Sequence, residues 1–296
     1  MIGVFLGLMA ALFQSLSYLC TKAFIRSSHR TTLDLLALGH IVMGVFAVVL
    51  LPFVWPASMP PLIRYALPTM GAALFYMTGQ AFLFIALFRV DASRISPLLS
   101  MKVFLLALLT LALGRGSLSL VQWGAVAMSM GAAWVLAGSG ERIAWGSFGW
   151  VFLACSCYCG SDLSIRILVE RLDHLDYTHA ILLSTSLTYI VCGLAGCALL
   201  PFLRRPTMDM WLKATPFAVT WFVAMIFLFA CFGLIDVVYG NIVQSTRGLI
   251  SILFGAALAA RGYERLEQKV DTGVLVRRIG AALLMTGAIV LFKLVG

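Results

Sequence analysis

Charge is what this chain has least of. Of its 296 residues only 11% are charged, while 62% are apolar or aromatic. A soluble domain carries about 25% charged and about 45–50% apolar residues. No water-soluble core hides that much apolar surface, so lipid has to be the solvent. Acids are scarcer still, 12 Asp and Glu against 21 Lys and Arg, and there are 4 His. No Asp-x-x-x-Asp, His-x-x-x-His or Gly-x-Ser-x-Gly segment occurs, and these are the sets a membrane-embedded enzyme acting on a lipid would need. The absence of a Gly-x-x-x-x-Gly-Lys-Ser/Thr segment excludes ATP-driven transport by this chain alone. No long soluble stretch is present to serve a scaffold or sensor.

What is there is a series of apolar runs long enough to span a bilayer, which takes about 20 residues. They fall at 2–24, 33–54, 66–88, 95–113, 118–138, 145–168, 178–202, 214–235, 240–260 and 274–295. The runs are unbroken, not alternating in segments of about ten as barrel strands are. The expected fold is therefore an all-α integral membrane protein of ten transmembrane helices. No basic segment follows Met1, and the first run continues to Lys22, so it reads as a retained helix and not a signal peptide. Pro52 punctuates a loop, while Pro68 and Pro216 fit the first turns of the third and eighth helices.

The net charge of +9 sets orientation in such a chain and does not argue for nucleic acid. Fourteen Lys and Arg collect in the loops on one side and five on the other, with Lys102 and Arg247 inside helices. Positive loops stay in the cytoplasm, so both termini are expected outside. Cys155, Cys157 and Cys159 resemble a metal motif at first sight, but a helix turns ~100° per residue and points Cys157 away from the other two. With no His or second Cys pair near in sequence, packing is the expected role, and no metal or cofactor is expected.

The chain repeats itself. At an offset of 145, Asp91 meets Asp236, Ser96 meets Asn241, Ser100 meets Ser245 and Lys102 meets Arg247. An odd number of helices per copy sends the second copy in from the opposite face, so the halves 1–140 and 141–296 are expected as two inverted five-helix repeats around a midplane site. The two segments FRVDASRISPLLSMKVF and FGLIDVVYGNIVQSTRGLI, each followed by a Gly-containing turn and a Gly-Ala helix, resemble the drug/metabolite transporter superfamily in its EamA-like ten-helix branch. Glu264 or Glu267 stands near the acid usual after the second turn, while the first turn departs from the pattern with Arg115. The resemblance implies a metabolite permease in a bacterial inner (plasma) membrane. Its central cavity would be lined by the first, third and fourth helices of each half.

Lys102 and Arg247 are the most informative residues. A cation near the bilayer centre costs roughly 2.5–3.5 kcal/mol on insertion scales, so it faces water or a partner. Two of them across a pseudo-two-fold axis suit an anionic group held between them. The alternative is that each snorkels, or pairs with an acid such as Asp162. Gln244 and Ser251 lie one turn either side of Arg247, with Asn241 nearby, as binding groups or as polar glue between helices. Asp162 is a coupling candidate that would carry a proton, or else the partner of Arg166 four residues on. Tyr76 and Gln80 on the third helix, Trp221 matching Tyr76 on the eighth, and Gln14 and Tyr158 on the first and sixth complete a small-molecule pocket. His40 reads as a residue facing a neighbour. The expected partners are a small-molecule substrate and the lipid bilayer, with no nucleic acid, and the chain is a monomer or homodimer. Export of an amphipathic or cationic compound is the competing reading.

Overall fold

A computed structural model describes residues 1–28, 31–89, 95, 98–99, 101–114, 117–137, 145–203, 205–260 and 272–295. Asp91, Ser96, Ser100, Arg115, Glu264 and Glu267 lie outside these residues. The described chain is helical throughout. The helices are α1 (Ile2–Ser28), α2 (Thr32–Val54), α3 (Leu62–Arg89), α4 (Met101–Ala112), α5 (Leu120–Ala137), α6 (Trp145–Arg171), α7 (Tyr177–Leu199), α8 (Met208–Leu234), α9 (Val237–Gln244), α10 (Arg247–Ala260) and α11 (Thr272–Val295). Six of them (α1, α2, α3, α6, α7 and α8) are long and apolar enough to cross a membrane.

Local chemistry sets the ends. Thr31 and Asp34 form a capping box at the start of α2, the Thr31 N–H donating to Asp34 Oδ2 at 2.9 Å. Asp176 caps α7 and Asp236 caps α9, each carboxylate accepting from two backbone N–H groups of the first turn. The helices α3 and α8 begin at Leu62 and Met208, ahead of the expected apolar runs, while α2 carries on through Pro52 to Val54. In consequence Pro68 and Pro216 sit well inside α3 and α8, and Pro52 is inside α2. The expected first-turn and loop placements of these prolines are corrected accordingly.

The run expected as one span at 240–260 is two helices. The break falls at Ser245 and Thr246, where Thr246 N–H donates to Val243 O at 3.2 Å and Gly248 N–H to Ser245 O at 3.2 Å, both three-residue steps. The break falls in the polar stretch 244–247, whose side chains the sequence reading placed along one continuous helix. In the first half Leu99 lies in a turn two residues before the start of α4.

The principal packings are α3 on α6, α1 on α8, α2 on α7 and α5 on α11, with α4 against α6 and α9 and α10 against α1. The α2–α7 crossing is backbone on backbone, since a Cβ on Gly44 would lie 2.8 Å from the Gly193 Cα. Small residues permit such approaches where lipid gives no hydrophobic force between helices. Large side chains such as Phe53, Leu67, Leu194 and Leu283 are exposed on the outside. An outer surface of that kind needs lipid around it.

Candidate functional site: a charged central cavity

Polar side chains converge at the centre of the bundle on a cavity of about 20 Å³. That is room for about one water molecule. Its lining brings together Gln14 of α1, Tyr76 of α3, Lys102 of α4, Tyr158 and Asp162 of α6, Trp221 of α8 and Arg247 of α10. Residues distant in sequence are gathered here by the α1–α8, α3–α6 and α4–α6 packings.

Lys102 Nζ lies 2.7 Å from Asp162 Oδ2, and both side chains are almost wholly buried. The same carboxylate oxygen accepts from Asn241 Nδ2 at 2.8 Å. The Lys102 ammonium also stands 5.7 Å from the centre of the Tyr158 ring, within cation–π range. Asp162 therefore pairs with Lys102 across helices and not with Arg166 on its own helix. Arg166, near the helix end, instead donates from Nε to Glu170 at 2.7 Å and from Nη1 to the Phe232 carbonyl.

Arg247 is held differently. Its Nη1 donates to Gln14 Oε1 at 3.1 Å and its Nη2 points at the Leu99 carbonyl at 3.4 Å. Arg247 has no carboxylate partner among the described residues, and its buried Nε has no hydrogen-bond partner among them. The break before α10 puts Arg247 at the first position of that helix, and Ser15 Oγ ties its carbonyl to α1 at 3.0 Å. Each cation is thus held chiefly by the other half of the chain, Lys102 by an acid and Arg247 by neutral acceptors.

An aromatic wall completes the cavity. Tyr76 stacks on Trp221 at 5.8 Å and on Tyr158 at 6.4 Å between ring centres. Tyr158 donates its hydroxyl to Gln80 Oε1 at 2.5 Å, so Gln80 stands behind the wall. Gln244 and Ser251 are buried on α9 and α10 but are absent from the lining, and neither amide atom of Gln244 has a partner among the described residues.

Of the outer supports of this wall, His40 faces a neighbour as the sequence suggested, while Tyr189 was missed. His40 Nδ1 meets the Leu36 carbonyl at 2.5 Å and its Nε2 meets the Tyr76 hydroxyl at 2.8 Å. A carbonyl only accepts, so Nδ1 carries the proton and Nε2 of the neutral ring accepts from Tyr76. Trp221 Nε1 donates to Tyr189 at 2.9 Å in the corresponding place on the other side. A lone His in an apolar helix was the one available signal, while Tyr189 carried none.

The cysteine run packs against the helix ends, Cys155 on the Leu99 carbonyl at 3.8 Å and Cys159 on the Lys102 carbonyl at 3.4 Å. No group of three His, Cys, Asp or Glu that could hold a metal occurs among the described residues. A second, larger cavity of about 490 Å³ opens between α4, α5, α9 and α11, lined among others by Asp236, Tyr239, Phe292 and Lys293. The N-terminal half of α9 therefore lines this outer cavity, while Asn241 in its C-terminal half touches Asp162.

Comparison with known proteins agrees with this architecture. A solved structure, described only as the crystal structure of a protein, matches 99% of this chain and 97% of its own with a TM-score of 0.69 at 16% identity, so the two share a fold. No curated protein matches the sequence. Residues 1–138 of this multi-pass membrane protein match the model of the EamA-like transporter family, a family of the drug/metabolite transporter superfamily.

Proposed function

We propose that the chain is a secondary transporter, a permease moving a small anionic or zwitterionic metabolite by alternating access, with two inverted five-helix repeats, 1–140 and 141–296, around the central cavity. The packing supports the repeat. Exchanging the halves turns the α3–α6 contact into the α8–α1 contact, and it leaves α2–α7 and α5–α11 as they are. The loop charges support both termini outside, in a bacterial inner membrane.

One observation carries the substrate class. Lys102 and Asp162 neutralise one another, which leaves Arg247 without a carboxylate partner among the described residues in a buried site with room for about one water molecule. A buried cation without a counter-ion is costly, and a carboxylate or phosphate on the substrate relieves that cost with charge-assisted hydrogen bonds. Asp162, already accepting from two donors, supplies a contact for the ammonium of a zwitterion. Its place on the Lys102 bridge also makes it the group through which a proton would act on the site.

Purified protein in liposomes, offered labelled carboxylates, sugar phosphates and amino acids, tests the reading. At least one class is taken up by the wild type, and Arg247→Leu lowers that uptake at least 100-fold. Uptake that survives Arg247→Leu, or uptake confined to organic cations, overturns it.

A further inference from the structure

Resting on the anion reading of Arg247, we infer that Gln14 is the placeholder of the unloaded carrier, the group that stands in for the substrate anion so that the site can close empty. A closed site has to give its buried cation acceptors, because a guanidinium stripped of water and left unbonded is expensive. Here the cavity measures about 20 Å³ and the acceptors are in place: Gln14 Oε1 at 3.1 Å and the Leu99 carbonyl at 3.4 Å.

The chemistry of the pair makes it displaceable. Gln14 is neutral, and a carboxylate or phosphate forms hydrogen bonds to a guanidinium roughly twice as strong. The carboxamide is otherwise lightly held, its Nε2 meeting among the described residues only Met225 Sδ at 3.9 Å. It is 2% exposed, so bulk water offers it no partner. Lys102 differs, since its acceptor is a full carboxylate that stays in place whether or not substrate is bound. Arg247 is accordingly the binding end of the site and Gln14 its stand-in. An unloaded carrier that closes freely supports net transport, whereas one that does not is confined to exchange. Gln14 thus sets the balance between the two, as a positioning residue acting through Arg247.

Distances between spin labels in the ligand-free protein test this without reference to any substrate. The exposed Cys197 and the half-buried Cys20 and Cys157 are replaced by Ala, leaving the four buried cysteines. Label pairs are placed at Ser58→Cys with Asp173→Cys on one end of the bundle, and at Arg89→Cys with Arg205→Cys on the other. In Gln14→Leu and in the shorter Gln14→Asn, the long-distance, open population at one end rises at least threefold over the parent. In Gln14→Glu, which sets a carboxylate against Arg247, it falls below the parent. Distributions unchanged in both Gln14→Leu and Gln14→Asn overturn the inference, and so does a Gln14→Glu protein that opens as they do. Because no uptake is measured, a failed anion reading shows itself separately, in the liposome experiment.

Discussion

Gly44 and Gly193 meet where α2 crosses α7, with no side chain between them. A Cβ added to either would come within 2.8 Å of the other's Cα, and the obstacle is backbone that cannot turn aside. The neighbouring Gly196 is as tight, facing the Ala37 carbonyl at 2.9 Å from its would-be Cβ.

Gly44→Ala and Gly193→Ala are each expected to destabilise the bundle by about 1–3 kcal/mol, the usual cost of overpacking. Gly131→Ala, with open space around it, serves as the control. Thermal unfolding in detergent measures the difference, and equal melting temperatures for Gly44→Ala and Gly131→Ala would refute the close crossing.

The Lys102–Asp162 pair makes a second prediction. Removing one partner strands a buried charge, at about 3–5 kcal/mol, whereas removing both leaves none. Lys102→Met should therefore lower stability sharply, and Lys102→Met with Asp162→Asn should recover most of the loss. Strictly additive losses in the double-mutant cycle would mean that the pair does not couple.

The support behind the aromatic wall yields a third. Tyr76→Phe leaves His40 Nε2 buried without its donor, which costs about 1–3 kcal/mol. Combining it with His40→Leu removes both members of the bond, and the cost should shrink toward zero. A Tyr76→Phe protein as stable as the parent contradicts the bond at 2.8 Å.

The helix break gives the fourth. Thr246→Ala removes a β-branched residue whose hydroxyl donates to the Val243 carbonyl at 2.8 Å, and it favours a continuous helix by roughly 0.5 kcal/mol. We expect melting temperature to rise slightly while uptake falls about tenfold, because a straightened helix carries Arg247 away from Gln14. Uptake equal to the parent's would show that the break has no part in transport.

These sites differ in how far they could be read from the chain alone. The long helices were legible because lipid demands apolar runs, and intramembrane charges stand out from such runs at once. Partners were not legible in the same way. For Asp162 the local rule favoured Arg166, one turn away, and pairing with Lys102 stood only as an alternative, because that pair spans from 102 to 162 and exists only once α4 lies on α6. Gln14 and Arg247 are farther apart still. The break at Ser245 and Thr246 lies in the polar stretch 244–247, and it was missed because those side chains also fit the polar face of an unbroken helix. Tyr189 was invisible for a related reason: one tyrosine among apolar residues looks like packing until the Trp221 indole is found pointing at its oxygen.

The Leu99 carbonyl, which faces the Arg247 guanidinium from the opposite half, is main chain and not side chain. Every substitution at position 99 that keeps the turn therefore leaves that acceptor where it is. Ordinary mutation can retune Gln14, the variable half of the cradle, while the other half changes only if the backbone itself is rerouted.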